Sequence, residues 1–259
     1  MSIKITTELI KELRDATGIS VMQCKNALTE AEGDMEKALA ILKKTSSDIA
    51  LKKAGRDAKD GAVKIKELDN KAVLVALHCE TDFVSRNEDF INLLSKLTDT
   101  VASSGVEKMQ TLAKDMIDPI IQKTGEKIEL GDVYEVEGNV LGSYVHNSKI
   151  AVIVSLEGGS KELAKDIAMH ISAMKPEYIS KEDISEETRK TMTEIFQKEI
   201  ASIDKPEDIK QKMIAGKITT YFKEKTLLEQ PFIKNGNETI SQLLDKSKAK
   251  IKEVKRYSI

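Results

Sequence analysis

The run Ala72-Val73-Leu74-Val75-Ala76-Leu77 contains no polar side chain, and a strand of that kind needs cover on both of its faces. It commits this part of the chain to a sheet with other structure packed over it. Before it, Ala62-Val63-Lys64-Ile65-Lys66 alternates with period two, and Asp69-Asn70 supplies the turn between the two strands. After it come an exposed loop, Thr81-Asp82-Phe83-Val84-Ser85-Arg86, and a helix with Phe90, Leu93, Leu94, Leu97 and Val101 on one face. A second helix holds Met109, Leu112, Met116 and Ile117, with Pro119 ending or kinking it. The order then recurs. Residues 133–136 read as a strand, Gly138-Asn139 as a turn and 140–146 as a second strand. Asn147-Ser148 makes another turn before the apolar run 150–156, and Gly158-Gly159 leads to a helix faced by Leu163, Ile167, Ile171 and Met174. Hairpin-plus-helix units are common enough to recur by chance. The alternative, which we adopt, is a pair of related α+β subdomains.

The flanking segments are helical. Residues 6–44 read as three short helices: Leu9, Ile10 and Leu13 face inward in the first, Val21, Cys24, Leu28 and Ala31 in the second, and Met35, Ala38, Leu39 and Leu42 in the third. Gly18 and Gly33 end the first two, Ser20 and Gln23 have capping-box spacing, and Asp34 caps the third. A bundle of roughly 40 residues buries little surface, so it works tethered to something larger. Residues 181–228 carry ten charges of each sign and split at Asp204-Lys205-Pro206 into two arms. Ile195, Ile200 and Ile203 face one way in the first arm, and Ile209, Met213 and Ile218 lie in the second, which reads as an antiparallel helical hairpin. The chain re-enters the globular part through Gln230-Pro231-Phe232-Ile233 and ends with a short helix at 241–244 and an alternating strand from Lys250.

Composition narrows the function. Lys+Arg 41 against Asp+Glu 43 gives a net charge of −2, so bulk attraction to a polyanion is not the working principle. Two local exceptions exist: 43–60 has six Lys/Arg and three Asp, and 246–256 has six Lys/Arg and one Glu. The first reads as an electrostatic contact or as a solvated linker, the second as a nucleic-acid contact or as a lysine-protected edge strand. Aromatic residues are 4% and Trp is 0, against a base-stacking platform. Cys24 and Cys79 are too few for a disulfide framework and suit a reducing cytosol. No apolar run approaches a membrane span, and Met1-Ser2-Ile3-Lys4 does not open an apolar leader. There is no Gly-Lys-Ser/Thr phosphate loop and no GxGxxG. His78, His146 and His170 lack metal-ligand spacing. His78 and Cys79 are neighbours in a strand, so their side chains diverge. No metal, no cofactor and no enzymatic activity are expected.

Several ordered motifs carry a resemblance. Cys79-Glu80-Thr81-Asp82-Phe83-Val84 resembles the signature loop of the bacterial elongation factor Ts family, guanine-nucleotide exchange factors for the GTPase elongation factor Tu. Glu12-Leu13-Arg14-Asp15-Ala16-Thr17-Gly18 and Met22-Gln23-Cys24-Lys25-Asn26-Ala27-Leu28 are similar to its ubiquitin-associated-like N-terminal bundle. Lys52-Lys53-Ala54-Gly55, Leu141-Gly142-Ser143-Tyr144-Val145-His146, Ile167-Ala168-Met169-His170-Ile171, Lys175-Pro176-Glu177-Tyr178 and Gln230-Pro231-Phe232 complete the set. Two departures stand out. Longer members carry a further helical module after the last core strand, which we expect to be missing after Ile259, and the usual Met-Met is Val21-Met22 here.

The resemblance implies an α+β protein with a docking bundle at 1–45, a basic linker at 46–60 and a first core subdomain at 61–132. A second subdomain follows at 133–180 and 229–259, with a coiled-coil hairpin inserted at 181–228. It also implies a cytoplasmic translation elongation factor that binds elongation factor Tu, GDP-bound and nucleotide-free, and releases GDP. Thr81, Asp82, Phe83 and Val84 would enter the GTPase near its nucleotide and magnesium. Arg14, Val21, Met22, Lys25 and His146 would make further contacts. The hairpin would allow a homodimer, with no membrane and no direct nucleic-acid contact. From the residues alone, Asp82 also reads as a cap or turn residue and Phe83 as an inward core residue. The runner-up function is a helical-hairpin interaction protein that binds RNA or the ribosome through the basic segments.

Overall fold

Each apolar run forms the middle strand of a three-stranded sheet in the computed structural model, which describes residues 5–259. The leader-free reading rests on residues 1–4, outside the described residues. The chain divides into two compact units: one runs to Glu137 and includes 145–151 and 257–259, the other comprises 138–144 and 152–256.

The first unit begins with α1 (Thr7–Thr17), α2 (Val21–Glu30) and α3 (Met35–Lys53), three helices around Leu13, Ile19, Cys24, Leu28, Ala38 and Leu42. Gly18 takes the left-handed conformation (φ 68°) that ends α1. Asp34 caps α3 by accepting from Lys37 N at 3.0 Å. Ser20 accepts from Gln23 N at 3.4 Å, but the Gln23 amide oxygen takes the Ser20 hydroxyl (2.9 Å), not the backbone N–H a capping box uses. Leu39 turns outward.

The helix α3 runs nine residues beyond 44, through much of the segment read as linker. Its last turns dock on polar groups. Ser46 is buried and donates to the Gln122 side-chain oxygen, Ser47 donates to Asp118 at 2.7 Å, and Lys43 pairs with Asp115 at 2.7 Å. A seam of hydroxyls and carboxylates has no apolar period, which is why the sequence pattern fades there.

β1 (Asp60–Glu67) and β2 (Lys71–Cys79) form an antiparallel hairpin with Ala62 opposite Leu77. A single helical turn, α4 (Asp82–Ser85), leads to α5 (Glu88–Ser104) and α6 (Val106–Thr124), and β3 (Ile128–Glu137) returns to pair with β2. Residues 133–136 therefore complete the first sheet, where the local pattern had them opening the second. Pairing between strands about 50 residues apart leaves no local trace. α5 buries all five of its predicted side chains. α6 continues through Pro119, with Ile117 and Ile121 buried beside the break, so packing offsets the lost hydrogen bond. Its buried stripe is Met109, Ala113, Ile117 and Ile121, and Leu112 is exposed.

The second unit repeats the plan. β4 (Val140–His146), β5 (Ile150–Glu157) and α7 (Lys161–Met174) are followed, after the hairpin, by β8 (Lys250–Ser258), giving the order β4-β5-β8. The hairpin is α8 (Glu186–Ala201) and α9 (Glu207–Lys225). β6 (Pro231–Phe232), β7 (Asn235–Thr239), α10 (Ile240–Lys246) and β8 close the chain. Hairpin, helix and returning strand thus occur twice, and the protein is α+β.

α7 lies so close to β4 that a Cβ on Gly142 would stand 2.2 Å from Lys165 N. His170, fully buried on α7, accepts the Ile233 N–H at Nδ1 (3.2 Å). Its Nε2 therefore carries the proton toward Gln230 Oε1 at 2.9 Å, and burial pushes the imidazole below its ordinary pKa. Gln230 donates to the Glu224 carbonyl at 2.6 Å, so a neutral histidine fixes the segment where the hairpin re-enters the core. Within the hairpin the seam is Ile200, Ile214 and Phe222, with the Phe196 and Tyr221 rings 5.8 Å apart, while Ile195 and Ile209 are exposed. On α9 the offset from the predicted face arises because apolar residues surround the helix.

Candidate partner-binding site

The end of β2 is buried to Cys79, and the chain must turn outward at once because the next residues are polar or exposed. It does so through the one-turn helix α4 rather than an open loop. Thr81 occupies the N-cap position of α4, yet its side chain makes no cap bond; its hydroxyl donates to Glu126 Oε1 at 2.6 Å. Glu126 Oε2 accepts the backbone N–H groups of Glu80 (3.1 Å) and Thr81 (3.0 Å). In return Glu80 accepts the Lys127 N–H at 2.6 Å and the Arg56 guanidinium at 3.2 Å. The Lys127 N–H, aided by Arg56, holds the Glu80 carboxyl below the usual carboxylate range. Two carboxylates thus cross between the segment entering α4 and the segment leaving α6.

On this frame Phe83 is 84% exposed, which excludes the core reading of its ring. Val84 turns inward against the core of the first unit, and Ser85 is buried. Asp82 pairs with Arg86 at 3.3 Å, and its carbonyl accepts the Ser85 hydroxyl at 3.1 Å. Beside α4 lies a groove of about 920 Å³ whose walls include Val63, Ile65, Arg86, Ile91 and Val145. Lys149 stitches it together, donating to Asp60 at 2.7 Å, the Gly61 carbonyl at 2.5 Å and Ser85 at 3.4 Å. His146 is exposed on the adjoining turn, 3.3 Å from Asn147 Nδ2. Asn147 (φ 50°) and Ser148 (φ 56°) are both left-handed, as a tight hairpin turn requires.

The remaining predicted contacts sit on the bundle. Arg14, Val21, Met22 and Lys25 are all exposed at the α1–α2 corner, Met22 by 66%. The corner abuts the core: Gly18 lies against Lys123, whose ammonium pairs with Asp89 in the first turn of α5 at 2.6 Å. The structure therefore links α4 to the His146 turn through Lys149, and the bundle corner to α5 through Lys123. Sequence reasoning missed Glu126, Lys149 and Lys123. For Glu126 the one available signal was its place after Gly125, the left-handed cap of α6.

Residues 80–259 match a family model described as Elongation factor TS. Curated relatives named Elongation factor Ts are similar along almost the whole chain. The one from Hahella chejuensis is 39% identical, covering 98% of this chain and 92% of the relative. That from Cellvibrio japonicus is 38% identical, covering 98% and 90%. That from Escherichia coli O139:H28 is 36% identical, covering 99% and 92%. With these matches, the bundle, and a doubled α+β core whose first half carries the Thr81-Asp82-Phe83-Val84 turn, this chain belongs to the elongation factor Ts family.

Proposed function

We propose that this protein, a translation elongation factor by family, binds the GTPase elongation factor Tu and drives GDP release through α4. The observation that carries the reading is Phe83, a ring left in water on a turn whose backbone is held from both sides. An exposed aromatic at the tip of a fixed element fits a partner's pocket, where burial contributes about 1.5–3 kcal/mol. The factor needs no catalytic group. It needs only higher affinity for the empty GTPase than for the GDP-bound form, and GDP then weakens its binding by the same ratio. The α1–α2 corner supplies docking, with Val21 and Met22 as its apolar contacts.

An RNA-binding reading finds less support, because many basic residues it would use already have partners. Lys43 pairs with Asp115, Arg56 with Glu80, Lys246 with Glu238 and Lys255 with Glu253. Release of labelled GDP from elongation factor Tu tests the proposal. Adding the protein is expected to accelerate release with shallow salt dependence. No acceleration sinks the reading, and binding to RNA that falls steeply with salt favours the alternative.

In the same reading α8 and α9 form a self-association surface, supported by Ile195 and Ile209, which are exposed outside a thin seam. Sedimentation over a concentration series is expected to show a dimer that is lost when the hairpin is replaced by a short loop. A monomeric mass at every concentration removes this part.

A further inference from the structure

We propose that Glu126 is a positioning residue for α4, setting the angle at which Phe83 is presented. This rests on the exchange reading above. A four-residue helix has one turn of hydrogen bonds and no independent stability. Nothing on its own N-cap side chain stabilises it, because the Thr81 hydroxyl is turned away to Glu126. The three groups that fix the entry into α4, the Glu80 N–H, the Thr81 N–H and the Thr81 hydroxyl, all converge on the one Glu126 carboxylate at 2.6–3.1 Å.

The backbone around Glu126 is held from the α6 side as well as through Glu80, and the Glu126 N–H donates to the Thr124 hydroxyl at 3.4 Å. Gly125 closes α6 in the left-handed conformation, and the next residue, Lys127, donates its backbone N–H to Glu80 and its ammonium to the Arg56 carbonyl at 2.9 Å. The backbone at 125–127 is thus held from the α6 side, and the Glu126 carboxylate carries that hold to the entry of α4. Charge-assisted bonds of this kind are stronger than neutral ones, so their loss frees the turn without opening the core.

The full-length protein tests this with Glu126→Ala and Glu126→Gln. In the free protein, hydrogen exchange of the Glu80 and Thr81 amides is expected to quicken about 10-fold or more in the alanine variant, with the β2 amides unchanged. Glutamine keeps one acceptor oxygen and should fall between. With elongation factor Tu, the alanine variant is expected to lower the GDP-release rate at saturating factor by about 10-fold, while the half-saturating concentration moves less than about 3-fold. Should alanine prevent folding, Thr81→Val removes the hydroxyl donor alone and is expected to shift the same readouts in the same direction. Unchanged amide exchange in a folded alanine variant overturns the assignment. So does slowed release with normal amide exchange, which would make Glu126 a direct contact. If the unaltered protein releases no GDP, the exchange reading fails, and the amide measurement still judges Glu126.

Discussion

Phe83→Ala is expected to slow factor-stimulated GDP release by about 10-fold or more and to leave the melting temperature nearly unchanged. Aromatic anchors at interfaces cost at least about 2 kcal/mol when truncated, and about 1.4 kcal/mol is a decade in rate. In the free protein the ring is 84% exposed, so its removal opens no cavity. Surface changes of this type stay within about 0.5 kcal/mol. A buried phenylalanine would behave in the opposite way, losing about 3–5 kcal/mol of stability. Thermal unfolding and GDP release measured on the same variant separate the two. A variant that melts normally and stimulates release at the normal rate would remove the wedge from the mechanism.

The second large effect belongs to Gly142, in the middle of β4. A methyl group there would stand 2.2 Å from Lys165 N and 2.4 Å from the Ala164 carbonyl carbon, inside the backbone of α7. Backbone cannot rotate away as a side-chain tip does, so Gly142→Ala must push α7 off the sheet. α7 carries Leu163, Ile167 and Ile171 into the core of the second unit, and moving it unpacks all three. Overpacking costs about 1–3 kcal/mol when side chains absorb it and more when they cannot. We expect about 3 kcal/mol or more, read by chemical denaturation. Gly216, on α9 with nothing near its missing Cβ, is the control. There alanine should be neutral or stabilising, by up to about 1 kcal/mol. Equal effects at both glycines would contradict the close approach of α7.

Much of the architecture was legible because burial on two faces writes itself into sequence. The apolar runs in β2 and β5, and the face of α5, were readable for that reason. What escaped was set by partners distant in sequence. β3 joins the first sheet by pairing with β2, and the end of α3 is held by Gln122 and Asp118, polar residues that leave no periodicity. The hairpin seam was read in part: Ile200 is buried as expected, but on α9 the buried residues are Ile214 and Phe222, while Ile209 is exposed. At the site, the Thr81-Asp82-Phe83-Val84 segment was readable as a motif and as an exposed loop. The residues alone left the Phe83 ring open to an inward reading and did not show the helical turn that carries it. Glu126, 45 residues from Thr81, became visible only once the two segments were seen side by side.

The middle strands β2 and β5 each wait for an outer strand from beyond the intervening helices. For β5 that strand is β8, with the whole hairpin between them. The entropy of closing a loop grows only with the logarithm of its length, about 0.6 kcal/mol for each doubling. The second sheet is therefore almost indifferent to how much chain is inserted before β8. The hairpin can lengthen, shorten or acquire new surface over evolutionary time without loosening the sheet that supports it. The first unit has no such freedom near α4, where Glu80 and Glu126 clamp both ends of the connection.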